Sequence, residues 1–167
     1  DRTSRGLGDV YKRQFTDGTW SYRGGSYKAE NDEELWSWWW YLNDNKEMEG
    51  HYVDGRKNGI WTWWFDSGIR QSEGHYVDDE QDGLWSYFSK DGSVAEEITF
   101  SGGKRDGRST VWLTPEEKQE EKFYKNGKLD GPSTFWENGY RSTMTTYKSD
   151  SPEGPWVIWF SNSDQIK

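Results

Sequence analysis

The run Glu49-Gly50-His51-Tyr52-Val53-Asp54-Gly55-Arg56-Lys57-Asn58-Gly59-Ile60-Trp61-Thr62-Trp63-Trp64-Phe65 decides the fold. Its first five residues make a short extended segment. Asp54 to Gly59 supply residues that tolerate positive φ, and Ile60 to Phe65 are β-branched or aromatic strand formers. Strand, turn and strand in this order predict a β-hairpin. The pattern then repeats. The aromatic anchor Tyr52 recurs as Tyr76, Phe100, Tyr124 and Tyr147, at intervals of 24, 24, 24 and 23 residues. Seven residues after each anchor stands a glycine (Gly59, Gly83, Gly107, Gly131, Gly154), and twelve after it a large ring (Trp64, Phe88, Trp112, Trp136, Trp159).

Stepping back 25 residues gives a degraded first repeat anchored at Tyr27, with Glu34 in the glycine position and Trp39 as its ring. Six repeats thus fill residues 27–167, and 15–26 reads as a partial or irregular one. Outer turns at Asp66-Ser67-Gly68, Lys90-Asp91-Gly92 and Glu137-Asn138-Gly139 separate the repeats. Thr114-Pro115-Glu116-Glu117 departs from them, and Pro115 to Lys122 is the one helix-compatible stretch, so a longer or helical turn is expected there.

One repeat is too short to bury its rings alone, so repeats must stack. The expected fold is all-β, an elongated antiparallel meander of stacked β-hairpins with a period of about 24 residues. Side chains alternate across each second strand. Positions 8, 10 and 12 after the anchor share one face, where the regular rings suit a packing seam. The repeat core is therefore expected at Trp39, Trp64, Phe88, Trp112, Trp136 and Trp159, with the anchors Tyr52, Tyr76, Phe100, Tyr124 and Tyr147. Positions 9 and 11 vary, from Trp36, Trp38, Trp61, Trp63, Trp85 and Tyr87 to Ser109, Val111, Ser133, Phe135, Trp156 and Ile158. Variation there marks Trp36, Trp38, Trp61, Trp63, Trp85 and Tyr87 as a candidate binding strip, since Trp and Tyr anchor interface hot spots. The competing reading is that a thin sheet shelters rings on both sides. Replacing Trp61 and Trp85 by Ala separates the two, through lost binding or lost folding.

Composition sets the limits. Only 31% of the 167 residues are apolar, against roughly 45–50% in ordinary domains, which by itself suggests disorder. The 18% aromatic content, with 13 Trp, overturns that, because disordered chains are poor in such rings. No stretch reaches the ~20 apolar residues of a membrane helix. With no Cys there is no disulfide and no thiolate metal site. Asp9-Val10-Tyr11-Lys12-Arg13-Gln14 resembles a translated transposon mosaic-end sequencing adapter, which implies that residues 1–14 are an appended, disordered segment and that the native N-terminus and its compartment signal are missing. The other 153 residues carry 17 basic and 28 acidic side chains, a net charge of −11. Such a surface repels nucleic acid and anionic membrane lipid and favours a basic protein partner.

Catalysis finds no support in the sequence. His51 and His75 occupy the same repeat position, and two strands per repeat put them ~9.6 Å apart. A shared zinc, with ligands at about 2.0–2.1 Å, would need both to lean inwards, so they read as surface residues. The acidic turn Asp78-Asp79-Glu80, with Asp82, lacks the Asp-x-Asp-x-Asp-Gly spacing of a calcium loop. Neither Gly-x-Ser-x-Gly nor a phosphate-cradling Gly-x-x-x-x-Gly-Lys-Ser/Thr occurs. No catalytic residue, metal or cofactor is expected.

The strings Tyr124-Lys125-Asn126-Gly127-Lys128-Leu129-Asp130-Gly131 and Glu73-Gly74-His75-Tyr76, with Gly59 to Phe65, resemble MORN repeats, in the bacterial variant found in antitoxin-like proteins. The resemblance covers Tyr27 to Phe160. It implies a rod or arc of hairpins used for protein binding, self-association or scaffolding, and an antitoxin or immunity role. Departures are Glu34, Pro115-Glu116-Glu117, and Asp79 and Asp150 where other turns carry Gly55, Gly103 and Gly127. The expected function is a non-catalytic scaffold that binds another protein. The alternative is carbohydrate or cell-wall binding through the aromatic strip.

Overall fold

Strand formers between turn residues give strands throughout. The computed structural model describes residues 45–160 and, upstream, the backbone of β1 (Tyr11–Gln14), β2 (Trp20–Arg23), β3 (Gly25–Lys28) and β4 (Glu34–Trp39). Then follow β5 (Lys46–Val53), β6 (Arg56–Trp64), β7 (Arg70–Val77), β8 (Glu80–Phe88), β9 (Val94–Ser101), β10 (Lys104–Trp112), β11 (Lys118–Lys125), β12 (Lys128–Glu137), β13 (Tyr140–Lys148), β14 (Ser151–Pro152) and β15 (Val157–Ile158). No helix occurs among the described residues.

The chain divides into two compact units, Asp1–Glu80 with Lys90–Gly92, and Gln81–Ser89 with Ser93–Lys167. In the first, β1 pairs with β2, and β3 to β7 each lie antiparallel to the next. In the second, β8 to β13 do the same, and both β14 and β15 pair with β13. Each unit is a meander, as the repeat predicts.

Two expectations are corrected. Tyr11–Gln14, placed in a disordered leader by the sequence reading, is a strand, while residues 1–10 lie outside those described. No helical turn forms after Pro115. The Glu117 amide donates to Thr114 Oγ1 at 3.1 Å, which closes a short turn, and Lys118 already opens β11. Cross-strand pairing of Glu120 with Val111 and of Glu121 with Thr110 overrides the helix propensity of the Glu/Lys run.

The repeat glycine makes a bulge. Glu49 faces Thr62 and His51 faces Asn58, so β6 accommodates two extra residues there, and Gly59 takes φ +75°. Positive φ is nearly free only for glycine. The hairpin turn shows how the departures from glycine are tolerated. Asp79 and Asp150 adopt φ of +71° and +70°, matching +76° at Gly55 and +71° at Gly103. The Asp79 amide donates to the Lys57 carbonyl at 3.0 Å, as the Gly127 amide does to Arg105 at 2.7 Å, tying each turn to the hairpin before it. The two aspartates add a second bond: Asp79 Oδ1 accepts from the Lys57 amide and Asp150 Oδ1 from the Leu129 amide, both at 2.8 Å. Asp79→Ala therefore loses a hydrogen bond while keeping a left-handed backbone, and is expected to cost about 1–2 kcal/mol. Asp79→Gly trades the bond for relief of strain and should stay within about 0.5 kcal/mol of the parent. Urea midpoints of the two variants check this ordering.

Candidate functional site

On the first face the rings of positions 9 and 11 lie against the sheet. Trp61 is 0% exposed and Trp85 2%. The cause is the pairing of large with small. Trp61 stands beside Gly74 in register, and on its other side its ring covers Gly50, so close that a Cβ there would lie 2.2 Å from the indole. Tyr52 meets the ring edge-on at 4.9 Å, Tyr76 at 6.2 Å, and Trp63 lies at 5.7 Å. The Trp61 Nε1 donates to the His51 carbonyl at 3.1 Å. The Lys57 ammonium covers the group, at 4.8 Å from Trp61, 5.0 Å from Tyr76 and 5.4 Å from Trp63. In the second unit Trp85 packs against Tyr87 and Phe100. Further along, the sizes are exchanged. Ser109 is paired with Ile98 and with Lys122, and Ser133 with Lys122 and Thr145, all but Lys122 being buried.

This corrects the sequence reading of a strip open for docking. Trp61 and Trp85 are core, and variation at their position compensates volume across neighbouring strands. Trp63 and Tyr87 are half-buried. Trp156, at the same position in the last repeat, is 58% exposed, on the edge of its unit. Trp36, Trp38 and Trp39 are on β4, whose side chains lie outside the described residues. The rings expected as core, Trp64, Phe88, Trp112, Trp136 and Trp159, are half-buried, as are all five anchors.

The second face carries a charge pattern that the sequence reading missed. The residue six before each anchor pairs in register with the ring at position 12: Arg70 with Trp64, Lys118 with Trp112, Arg141 with Trp136. Three residues before the first four anchors stand Glu49, Glu73, Glu97 and Glu121, and before Tyr147 stands Met144. Lys46 bonds Glu49, Arg70 bonds Glu73 at 3.4 Å, and Lys118 bonds Glu121 at 2.6 Å. The cations also lie over rings, Lys46 at 5.6 Å from Trp64, and Lys118 at 5.7 Å from Trp112 and 5.5 Å from Trp136. The same 24-residue spacing at Lys46, Arg70, Val94 and Lys118 was the available signal.

Charge and burial displace a few proton affinities. Burial raises the Tyr52 phenol, helped by the nearby Asp79 charge. The Asp106 carboxyl is lowered by the hydrogen bond from Lys125 and then by the Asn126 amide, and Lys148 is raised by its bond to Asp130. No group of three or more metal-ligating side chains occurs among the described residues.

Hairpins tied turn to turn, with rings at fixed positions on two faces, are repeat architecture. Residues 57–78 and 81–101 match the family described as MORN repeat variant. The match takes in Lys57 with the rings it covers and the repeat glycines Gly59 and Gly83, while Asp79 falls between the two matched segments. MORN repeats are in general non-catalytic modules. Among solved structures the chain is similar to a TarM mutant from S. aureus in complex with Fondaparinux, alpha-GlcNAc-glycerol and UDP, at 9% identity and TM-score 0.41, covering 65% of this chain and 21% of that one. It is also similar to a GtfA/B complex, at 14% identity and TM-score 0.39, covering 75% of this chain and 22% of that one. The chain thus spans about a fifth of the length of either structure. No curated protein matches it.

Proposed function

We propose that the chain is a non-catalytic scaffold that docks a basic protein. The observation that carries this reading is the acidic balance of the chain, a net charge of −9, together with the Glu97 carboxylate of the second face, which no cation among the described residues neutralises. Complementary charge speeds encounter and rejects acidic competitors. An antitoxin or immunity role is the form of this docking that the likeness to bacterial MORN variants supplies. Binding of a Lys/Arg-rich peptide to the immobilised chain should weaken about tenfold or more as salt rises from about 50 to 500 mM, because screening removes the steering. Salt-independent binding, or equal binding of an acidic peptide, contradicts charge-led docking.

A second reading has its own observation. A groove of about 230 Å³ in the second unit is lined by Tyr140, Trp159 and Phe160 with the polar Glu137, Asn138 and Arg141. Rings beside hydrogen-bonding groups suit a sugar. Retention on an insoluble polysaccharide, lost in Trp159→Ala, would favour this reading over the first.

A further inference from the structure

The repeat anchored at Phe100 keeps the glutamate of the second face and loses its cation. Where Lys46, Arg70 and Lys118 stand in their repeats, the repeat anchored at Phe100 has Val94. Its ring partner changes with it, since Val94 pairs in register with Phe88 instead of a tryptophan. Glu97, in the position where Glu49, Glu73 and Glu121 each hold a cation, has no hydrogen bond or ion pair among the described residues. A groove of about 150 Å³ opens at this place, lined by Val94, Glu97, Trp112 and Pro115. That is well above the space one water needs.

Two further groups around this groove are unpaired. The Trp112 Nε1 is buried without an acceptor, and so is the hydroxyl of Thr110, a residue 1% exposed that faces Glu97 across the ladder. In the first unit the equivalent Thr62 hydroxyl donates to Glu73 at 3.0 Å. Buried donors left unpaired are costly, so several in one place mark a site built for something else.

We propose that this groove receives a lysine or arginine side chain of the partner protein, which takes the place that Lys46, Arg70 and Lys118 occupy in the other repeats. The Glu97 carboxylate takes the charge and Val94 lines the aliphatic stem. The Trp112 ring meets the cation as it meets Lys118 at 5.7 Å from its other neighbour. The peptide carbonyl beside a basic side chain supplies an acceptor for the indole N–H. This deepens the basic-partner reading and rests on it, by naming the residue type that enters and the place where it enters.

The test fills the slot from within. In Val94→Lys the chain provides its own cation, restoring the pair seen at Lys118 and Glu121. Nα-acetyl-lysine amide is titrated into the isotope-labelled full chain, following the Trp112 indole N–H, which Trp112→Phe identifies. Nα-acetyl-norleucine amide, the uncharged isostere, serves as control. The lysine amide should shift this signal saturably and the norleucine amide should not. Glu97→Gln should weaken the response about fivefold, the value of a half-exposed ion pair. Val94→Lys should abolish it, with circular dichroism unchanged. An equal response to both amides, or binding that survives Val94→Lys, overturns the slot. Salt-sensitive binding of the Lys/Arg-rich peptide that Val94→Lys leaves intact also removes the slot, while leaving the docking reading in place.

Discussion

Trp61→Ala should cost about 3–5 kcal/mol, the range for truncating a buried large ring. That is a large part of the ~5–15 kcal/mol that holds an ordinary domain together. The ring is 0% exposed and covers Gly50, and the only other buried apolar side chains among the described residues are Trp85 and Ile98. Its loss also strips the edge contact with Tyr52, the hydrogen bond to the His51 carbonyl and the face under the Lys57 ammonium. In a stack of repeats, stability is carried by neighbouring interfaces, so the damage should stay local. Hydrogen exchange should show protection lost across β5 to β7 and kept across β11 to β13. Trp63→Ala, at a half-buried ring, should cost clearly less. An unchanged denaturation midpoint in Trp61→Ala would return the ring to the role of an exposed anchor.

The fold was legible because the signals that set it are local. A glycine at the bulge, short turns and a 24-residue recurrence of rings prescribe hairpins before any tertiary contact is considered. Even the departures held to plan, since aspartate can take the left-handed turn at Asp79 and Asp150 and add a bond of its own. The faces were less legible. Alternation separates two sets of side chains without saying which set is covered. The deciding fact is the absence of a Cβ on the neighbouring strand, and that depends on register. Gly50 and Gly74 stand in the extended run before each anchor, where the sequence shows no role for them, yet the Trp61 ring lies on Gly50 and Gly74 is its partner in register. Size exchange between Trp61 with Gly74 and Ser109 with Ile98 looked like functional variation for the same reason. The charge pattern of the second face was present as spacing. Its meaning appeared only when Lys118 was placed against Glu121 and between Trp112 and Trp136.

Gly50→Ala is the sharper probe of this packing, because a single methyl group must displace a whole indole. The added Cβ would lie 2.2, 2.3 and 2.6 Å from three Trp61 ring atoms, distances no pair of carbons sustains. The backbone at Gly50 cannot retreat while β5 is paired on both sides, to β4 and β6. Trp61 must therefore lift, giving up its bond to His51 and its contact with Tyr52. The cost is expected at or above the upper end of the ~1–3 kcal/mol typical of overpacking. A double-mutant cycle separates this from an intrinsic preference for glycine in the strand. Once Trp61 is alanine the methyl group has nothing to strike, so Gly50→Ala in that background should be close to neutral. It should even gain slightly from the lower chain entropy of alanine when unfolded, by about 0.4–1 kcal/mol. The coupling energy should thus be at least as large as the Gly50→Ala penalty and opposite in sign. Additive losses would mean that the glycine serves the backbone and not the ring, and the account of how this sheet hides its tryptophans would fail at its first contact.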